Sequence, residues 1–452
     1  MTSFSNVKLP SPGPSRDMRS RWLALFVLAL VLRGGWGTYR LANASDPAVL
    51  EFPDEVQYWM MAGSLRSGEG LRDERGFRAT RMPLYPALLS VFAGLDHGVI
   101  LAKAFQWLIG ALVAVVMGVA ATVLFDRRVG LMAGVLVALD PFLIFFTSLL
   151  LTETFFILCL GVLYAVLAPM VKSSEEFSVS WRRWIAVGSA SALCLYSRES
   201  GLGLIAVLSG CLLVWKQWRR CMIAGIVVTW LIVVASLLPW AVRNQAVLGD
   251  TVWLTTRAGI SLYDGVGPQA TGASDLGPVA DMEAVRDLTE TQWNRFFLDE
   301  SFEAIQREPV RVVKLAGIKL ARMWNPIPNA DTYQSGLIRA VSVLWMCPVL
   351  LFSCVGCWNL FRVHGRLGSR VAVFLLMPAL YLSAIHSLFV GSVRYRLGAM
   401  PMIEILAALG LLAVYDYLRR NRGIRLRPRE GSPSGGFPAS RVESPWDSYS
   451  AE

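Results

Sequence analysis

Two adjacent carboxylates, Asp54 and Glu55, are the first residues in the sequence whose types and spacing suggest chemistry. They lie in EFPDEVQYWMMAGSL, residues 51–65, just after a long apolar segment. A carboxylate near a reacting centre can accept a proton from an attacking hydroxyl or amine and so act as a general base. The same pair also suits a solvated loop, because Asp after proline is common at turns and helix starts. A catalytic interpretation therefore requires partner groups.

Arginines beside the ends of apolar segments are the candidate partners. A guanidinium group can hold phosphate through two parallel hydrogen bonds, which makes it suited to a phosphorylated leaving group. A single arginine at a membrane surface usually snorkels or pairs locally. Five of them on one face need another explanation, and a phosphate site is one. The five residues are Arg81, Arg198, Arg243, Arg394 and Arg396.

Membrane-spanning helices are the elements that must position these groups. Of the 452 residues, 54% are hydrophobic and 17% charged, whereas a soluble domain carries about 25% charge. Apolar runs near the length that crosses a bilayer recur, and only helices satisfy the backbone there. We predict an all-α, polytopic transmembrane helical bundle of about ten spans, at residues 22–42, 99–124, 129–148, 153–171, 184–198, 201–217, 221–242, 337–361, 369–390 and 397–418.

The basic residues predict how this bundle is oriented. The net charge is +10, but Lys and Arg concentrate in alternate short connections and in the C-terminal tail, which is the positive-inside pattern and not a nucleic-acid site. We therefore expect a disordered cytoplasmic N-terminus (1–20), a membrane domain (21–418) and a basic, disordered cytoplasmic tail (419–452). Two long loops, 43–98 and 243–336, then lie outside and contain amphipathic helices at the outer face. The acidic pair and all five arginines fall on this outer side.

Six blocks, in this order, resemble the GT-C superfamily of polytopic glycosyltransferases, in the branch of protein O-mannosyltransferases and the lipid A aminoarabinose transferase. No single block is specific, but the ordered set spans about 22–418. Arg-Met-Pro at 81–83 departs from the family's usual Lys-Pro-Pro, and no large soluble domain follows the last span. Acceptor recognition is therefore expected in the two outer loops. The blocks are FPDEVQYWMMAGSL, TRMPLYPALLS, DRRVGLMAGVLVALDPFLIFFTSLLLTETFF, LCLYSRESG, LPWAVRNQAVLG and VRYRLGAMP.

The resemblance implies a reaction and a location. A sugar would move, with inversion, from a polyprenyl-phosphate donor to a lipid, glycan or protein acceptor at the non-cytoplasmic face. The expected location is a bacterial inner membrane, with the active site on its periplasmic face and a role in the cell envelope. No cofactor and no protein metal site are predicted, although a divalent cation stays open as a candidate.

The resemblance also implies roles for individual residues. Asp54 is expected as the catalytic base, with Glu55 or Glu153 sharing that role or orienting the acceptor. Arginines would stabilise the leaving phosphate: Arg198, Arg394 and Arg396 first, then Arg81 and Arg243. Contacts to the substrate are expected from Tyr58, Tyr85 and Tyr395.

Two other kinds of protein fit the same composition. A transporter or flippase of a lipid-linked sugar would also have many spans, but transporters usually show internal repeats and broken helices, and the sequence shows no such repeat. A catalytically inactive relative that acts as an assembly partner is the other alternative. The intact Asp54–Glu55 pair argues against it.

Overall fold

A computed structural model describes residues 16–172, 180–214, 219–280, 282–363 and 365–421. Within these ranges the regular elements are α-helices, with short 3₁₀ turns at Glu283–Val285, Asp331–Tyr333 and Val393–Arg396. The all-helical prediction is confirmed. The helices are α1 Arg16–Asn43, α2 Pro53–Arg66, α3 Leu84–Ser90, α4 Gly98–Leu124, α5 Arg127–Leu139, α6 Pro141–Phe146, α7 Glu153–Lys172, α8 Trp181–Ser197, α9 Gly201–Val214, α10 Arg219–Leu248, α11 Ala258–Val266, α12 Gly277–Ala280, α13 Glu290–Arg307, α14 Pro309–Met323, α15 Gly336–Val363, α16 Gly365–Leu388 and α17 Met400–Asn421.

Seven of the described helices are long and apolar enough to cross a membrane: α1, α4, α7, α10, α15, α16 and α17. The three remaining predicted spans correspond to shorter helices. The span predicted at 184–198 is α8, and the described part of the span predicted at 201–217 is α9. The multi-span architecture is therefore confirmed, and the total of ten stays a prediction.

The span predicted at 129–148 is interrupted, and its sequence explains why. Asp140 ends α5 and caps α6, because its carboxylate accepts hydrogen bonds from the backbone N–H groups of Phe142 (2.7 Å) and Leu143 (2.9 Å). Pro141 occupies the first position of α6, where its missing N–H costs nothing. The chain therefore changes direction here and brings α6 to the outer end of the bundle.

Both ends of the described chain differ from the predicted boundaries. Helix α1 begins at Arg16, inside the segment predicted to be disordered, and Asp17 in its first turn pairs with Arg21 at 3.0 Å. An acid in the first turn complements the helix dipole. Helix α17 continues to Asn421, three residues into the predicted tail. Residues 1–15 and 422–452 lie outside the described residues.

Glycines allow close contacts between helices in the bundle. A Cβ atom at Gly356 of α15 would lie 2.0 Å from the carbonyl oxygen of Leu406, and one at Gly410 of α17 would lie 2.0 Å from that of Phe352. Small residues that let backbones approach are the usual means of association in lipid, where apolar side chains gain little by leaving the hydrocarbon. The α15–α17 pair therefore depends on these two positions.

The second outer loop contains the amphipathic helices α13 and α14. Helix α14 buries Val312, Leu315 and Lys319 and exposes Val313 and Lys314. The Lys319 ammonium donates hydrogen bonds to the carbonyl oxygens of Ser387 (3.2 Å) and Leu388 (2.6 Å) at the end of α16. A cation at a helix C-terminus satisfies carbonyls that have no helical partner. This contact fixes the outer loop onto the membrane domain.

We expect Lys319→Met to lower the apparent melting temperature of the purified protein. The substitution keeps the apolar stem but leaves buried carbonyls unpaired, at a cost of about 1–3 kcal/mol. Lys314→Met, on the exposed face of the same helix, is the matched control and should melt like the parent. Equal melting temperatures for all three proteins would show that the Lys319 contact does not hold the loop.

Candidate active site

Glu55 fixes the position of Asp54 at the start of α2. Its carboxylate accepts hydrogen bonds from the backbone N–H groups of Glu51 (2.9 Å), Phe52 (3.1 Å) and Leu150 (2.7 Å). The first two bonds cap the helix, and the third ties it to the loop before α7. Glu55 is fully buried and does not line the cavity described below. The structure therefore gives it a positioning role, in contrast to the catalytic role expected from its place beside Asp54.

Asp54 lies among three guanidinium groups. Its Oδ2 accepts a hydrogen bond from Nη1 of Arg394 at 2.6 Å, and its Oδ1 accepts one from Arg81 and lies 3.5 Å from Nη2 of Arg257. Burial alone would raise the pKa of Asp54, but the charges of Arg81, Arg394 and Arg257 hold that pKa well below its ordinary value. Asp54 is therefore ionised at neutral pH, and it is a weak proton acceptor while these arginines hold it.

Glu153 extends the cluster from the first residue of α7. Its Oε1 accepts hydrogen bonds from Nη1 of Arg198 at 2.7 Å and from Nε of Arg394. Arg394 thus bridges Asp54 and Glu153, which are far apart in sequence. Glu153 is 2% exposed and does not itself line the cavity.

Arg396 and nearby polar groups hold the turn that presents Arg394. The guanidinium of Arg396 donates to the carbonyl oxygens of Met323 (2.9 Å) and Asn325. The backbone N–H of Val393 donates to the side-chain oxygen of Asn329 at 2.8 Å. Arg396 is fully buried and does not line the cavity. Arg396 and Arg394 are two positions apart on this turn, and their side chains therefore reach different partners.

Arg243 and Tyr85 are also placed away from the cavity. Arg243 donates to the carbonyl oxygen of Arg78 (2.8 Å) and to Oδ1 of Asn244 (2.9 Å), which connects α10 to the first outer loop. Tyr85 is completely buried behind Tyr58, with ring centroids 5.1 Å apart. Neither side chain lines the cavity. The donor contact of Arg243 and the substrate contact of Tyr85 therefore stay predictions that this arrangement does not support.

The cluster lies on the wall of a cavity of about 2230 Å³. Asp54 and four arginines, Arg81, Arg198, Arg257 and Arg394, line its polar part. Tyr58 and Tyr395 also line it, and Arg81 lies 4.8 Å from the centroid of the Tyr58 ring. The remaining walls include apolar side chains from α1, α6, α15 and α16: Leu32, Trp36, Phe142, Phe145, Leu337, Val341 and Ile385. One cavity therefore joins an anion-binding surface to a large apolar space.

Two charged residues of the cavity wall, Arg257 and Glu199, were not among the predicted site residues. Arg257 lies at the start of α11 in the second outer loop, about 200 positions from Asp54, and belongs to none of the recognised blocks. Only the folding of that loop brings it to Asp54. Glu199 could have been predicted, because it directly follows Arg198 in a short turn between two apolar segments. Among the described residues, no group of three or more His, Cys, Asp or Glu side chains is placed to hold a metal ion.

The helical fold of this chain is similar to that of solved oligosaccharyltransferases, so the predicted GT-C resemblance is confirmed at the level of the fold alone. The archaeal oligosaccharyltransferase AglB from Archaeoglobus fulgidus, in complex with an inhibitory peptide and a dolichol-phosphate, is 16% identical with a TM-score of 0.56. The match covers 92% of this chain and 53% of AglB. The apo form of the Archaeoglobus fulgidus oligosaccharyltransferase gives 14% identity and a TM-score of 0.55, over 90% of this chain and 51% of that one.

This chain thus spans about half the length of the oligosaccharyltransferase structures that it matches. ArnT from Cupriavidus metallidurans bound to undecaprenyl phosphate is 15% identical over 91% of this chain and 80% of that one. Its TM-score of 0.36 is too low to support an argument. No protein-family model and no curated protein sequence matches the chain.

Proposed function

We propose that the protein is a membrane glycosyltransferase that moves a sugar from a polyprenyl-phosphate donor to an acceptor. The observation that carries this proposal is the ionised Asp54 among Arg81, Arg257 and Arg394, on the wall of a large cavity with apolar sides. A donor of this class combines a phosphate, a sugar and a long hydrocarbon chain. The cavity offers surfaces suited to each of these parts.

Four arginines form the proposed phosphate site. Before the donor binds, carboxylates of the protein pair with them. Arg394 is held by Asp54 and Glu153, and Arg198 by Glu153. An incoming phosphate competes with these carboxylates for the same guanidinium hydrogen bonds. Until the phosphate binds, the carboxylates hold the guanidinium groups in fixed orientations. This lowers the conformational cost of binding the donor.

The same arginines would act in the chemical step. Negative charge grows on the phosphate oxygen as its bond to the anomeric carbon breaks, and oriented guanidinium groups stabilise that charge. The ionised Asp54 stabilises the positive charge that develops on the sugar ring. A single displacement of this kind inverts the anomeric configuration.

The orientation and the partners are part of the proposal. The positive-inside pattern of basic residues supports a cavity on the outer side of the membrane, which would be the periplasmic face of a bacterial inner membrane. The outer loop helices α11 to α14 are then available for a lipid, glycan or protein acceptor. The oligosaccharyltransferase neighbour that was solved with dolichol-phosphate supports a lipid-linked donor.

We expect the purified protein to retain a polyprenyl phosphate, free or carrying a sugar. Lipids extracted after purification in a mild detergent would be analysed by mass spectrometry. An unrelated multi-span protein purified from the same membranes is the control for non-specific lipid. Enrichment of a polyprenyl phosphate over that control supports the proposal, whereas bulk phospholipid in equal proportions for both proteins would argue against a carrier site.

A further inference from the structure

Glu199 lines the same cavity as Asp54, at the turn between α8 and α9. Its Oε2 accepts a hydrogen bond from the hydroxyl of Thr255 at 2.5 Å. The turn itself is fixed, because the hydroxyl of Tyr381 donates to the carbonyl oxygen of Ser200 at 2.6 Å. Glu199 is thus held at the cavity by neutral groups on two other elements of the chain.

Asp54, Glu153 and Glu55 are already engaged by hydrogen-bond donors. Asp54 contacts three guanidinium groups, and Glu153 accepts from two of them. Glu55 accepts three backbone N–H groups and does not reach the cavity. Protonation of a carboxylate in such a site weakens charge-assisted hydrogen bonds and is therefore opposed. Asp54 and Glu153 are consequently poor acceptors for a substrate proton, and Glu55 is excluded because it does not line the cavity.

Glu199 differs from them in its partners. Within the part of the chain that the structure describes, its carboxylate forms no ion pair and has the Thr255 hydroxyl as its hydrogen-bond donor. It is nonetheless near the cluster, since it interacts electrostatically with Arg81 and Arg257. A carboxylate that lines the cavity near the phosphate site, but forms no ion pair with the arginines there, is suited to receive a proton.

We propose that Glu199 is the general base that accepts the proton of the acceptor, a role that rests on the proposed glycosyl transfer. As the acceptor oxygen or nitrogen bonds to the anomeric carbon, its proton moves to the Glu199 carboxylate. The bond from that carbon to the phosphate oxygen breaks, and its electron pair leaves with the polyprenyl phosphate held by the arginines. Asp54 then stays ionised throughout, so the two acids have separate tasks.

The test compares Glu199→Gln with the parent in two assays. The donor probe is a polyprenyl-phosphate hexose with a tritiated sugar, and its transfer to material in the host membranes is followed together with its binding to purified protein. We expect transfer to fall by about 10²–10⁴-fold because the amide cannot accept the proton. Binding of the probe should be unchanged, which also shows that the variant is folded. Asp416→Asn, at a partly exposed aspartate that pairs with Arg128 and does not line the cavity, should transfer and bind like the parent.

A second variant separates a base from a merely structural residue. Glu199→Ala leaves space for a small carboxylate, and added formate should restore part of the transfer. Parent-like transfer by Glu199→Gln, or no rescue of Glu199→Ala by formate, would overturn the assignment to Glu199. Absence of transfer by the parent itself would instead refute the proposed function, so the two failures are distinguishable.

Discussion

Asp54→Asn should abolish sugar transfer, with a loss on the order of 10²–10⁴-fold. Asparagine keeps the size of the side chain but removes the negative charge that three guanidinium groups share. Leaving largely buried charges without their partner costs about 3–5 kcal/mol, and each 1.4 kcal/mol is a factor of ten in rate. Arg81, Arg257 and Arg394 would repel one another and lose the arrangement that receives the phosphate.

Transfer of the tritiated hexose from its polyprenyl phosphate is the measurement, with Asp416→Asn, outside the cavity, as the control. The melting temperature of Asp54→Asn in detergent shows whether the protein still folds. Asp54→Glu provides a second variant that keeps the charge and should retain part of the activity. Near-parent turnover by Asp54→Asn would remove Asp54 from the centre of the site.

Arg394→Lys should weaken binding of a polyprenyl phosphate by about 10- to 100-fold. The guanidinium of Arg394 reaches Asp54 through Nη1 and Glu153 through Nε, so its planar fork contacts two anions at once. A lysine ammonium keeps the charge but cannot reproduce that geometry. Loss of one charge-assisted hydrogen bond corresponds to about 1.5–3 kcal/mol, which sets the expected range.

A role of Arg394 in binding polyprenyl phosphate must be distinguished from a purely structural role in which it only connects Asp54 and Glu153. Undecaprenyl phosphate added to the parent should raise its melting temperature, because a ligand that binds the folded state stabilises it. This increase should be much smaller for Arg394→Lys and unchanged for Arg40→Lys, which lines the same cavity but pairs with Glu51. If Arg394→Lys gains as much stability from the lipid as the parent does, Arg394 is a brace and the phosphate site lies elsewhere.

The sequence predicted the parts of the site that ordered blocks bring to one membrane face. Asp54, Arg81, Glu153, Arg198 and Arg394 come from five separate blocks, and the structure joins them in one cluster. The meeting of these five residues could be predicted, because each block adjoins the predicted outer end of an apolar segment. The break at 140–141 was also visible in principle, since Asp followed by Pro is a helix-start pattern.

Neighbouring residues were the main source of differences between sequence and structure. Glu55 follows Asp54 on a helix, where adjacent side chains point about 100° apart. The Glu55 carboxylate therefore accepts hydrogen bonds from backbone N–H groups, whereas Asp54 lines the cavity. Arg394 and Arg396 diverge in the same way on their turn. Arg257 could not be predicted, because its approach to Asp54 depends on the path of a long outer loop. Spacing alone identifies a block, but the backbone geometry decides which of its side chains reaches the site.

The fate of the sugar on a lipid-linked donor tests the central claim most directly. Proteoliposomes that contain the protein, host membrane extract and the tritiated polyprenyl-phosphate hexose would be sampled over time for labelled carrier and labelled acceptor. The proposed function predicts that the label leaves the carrier and appears in an acceptor, with one polyprenyl phosphate formed for each sugar moved. Label that stays on its carrier and only changes leaflet would identify a flippase and contradict sugar transfer.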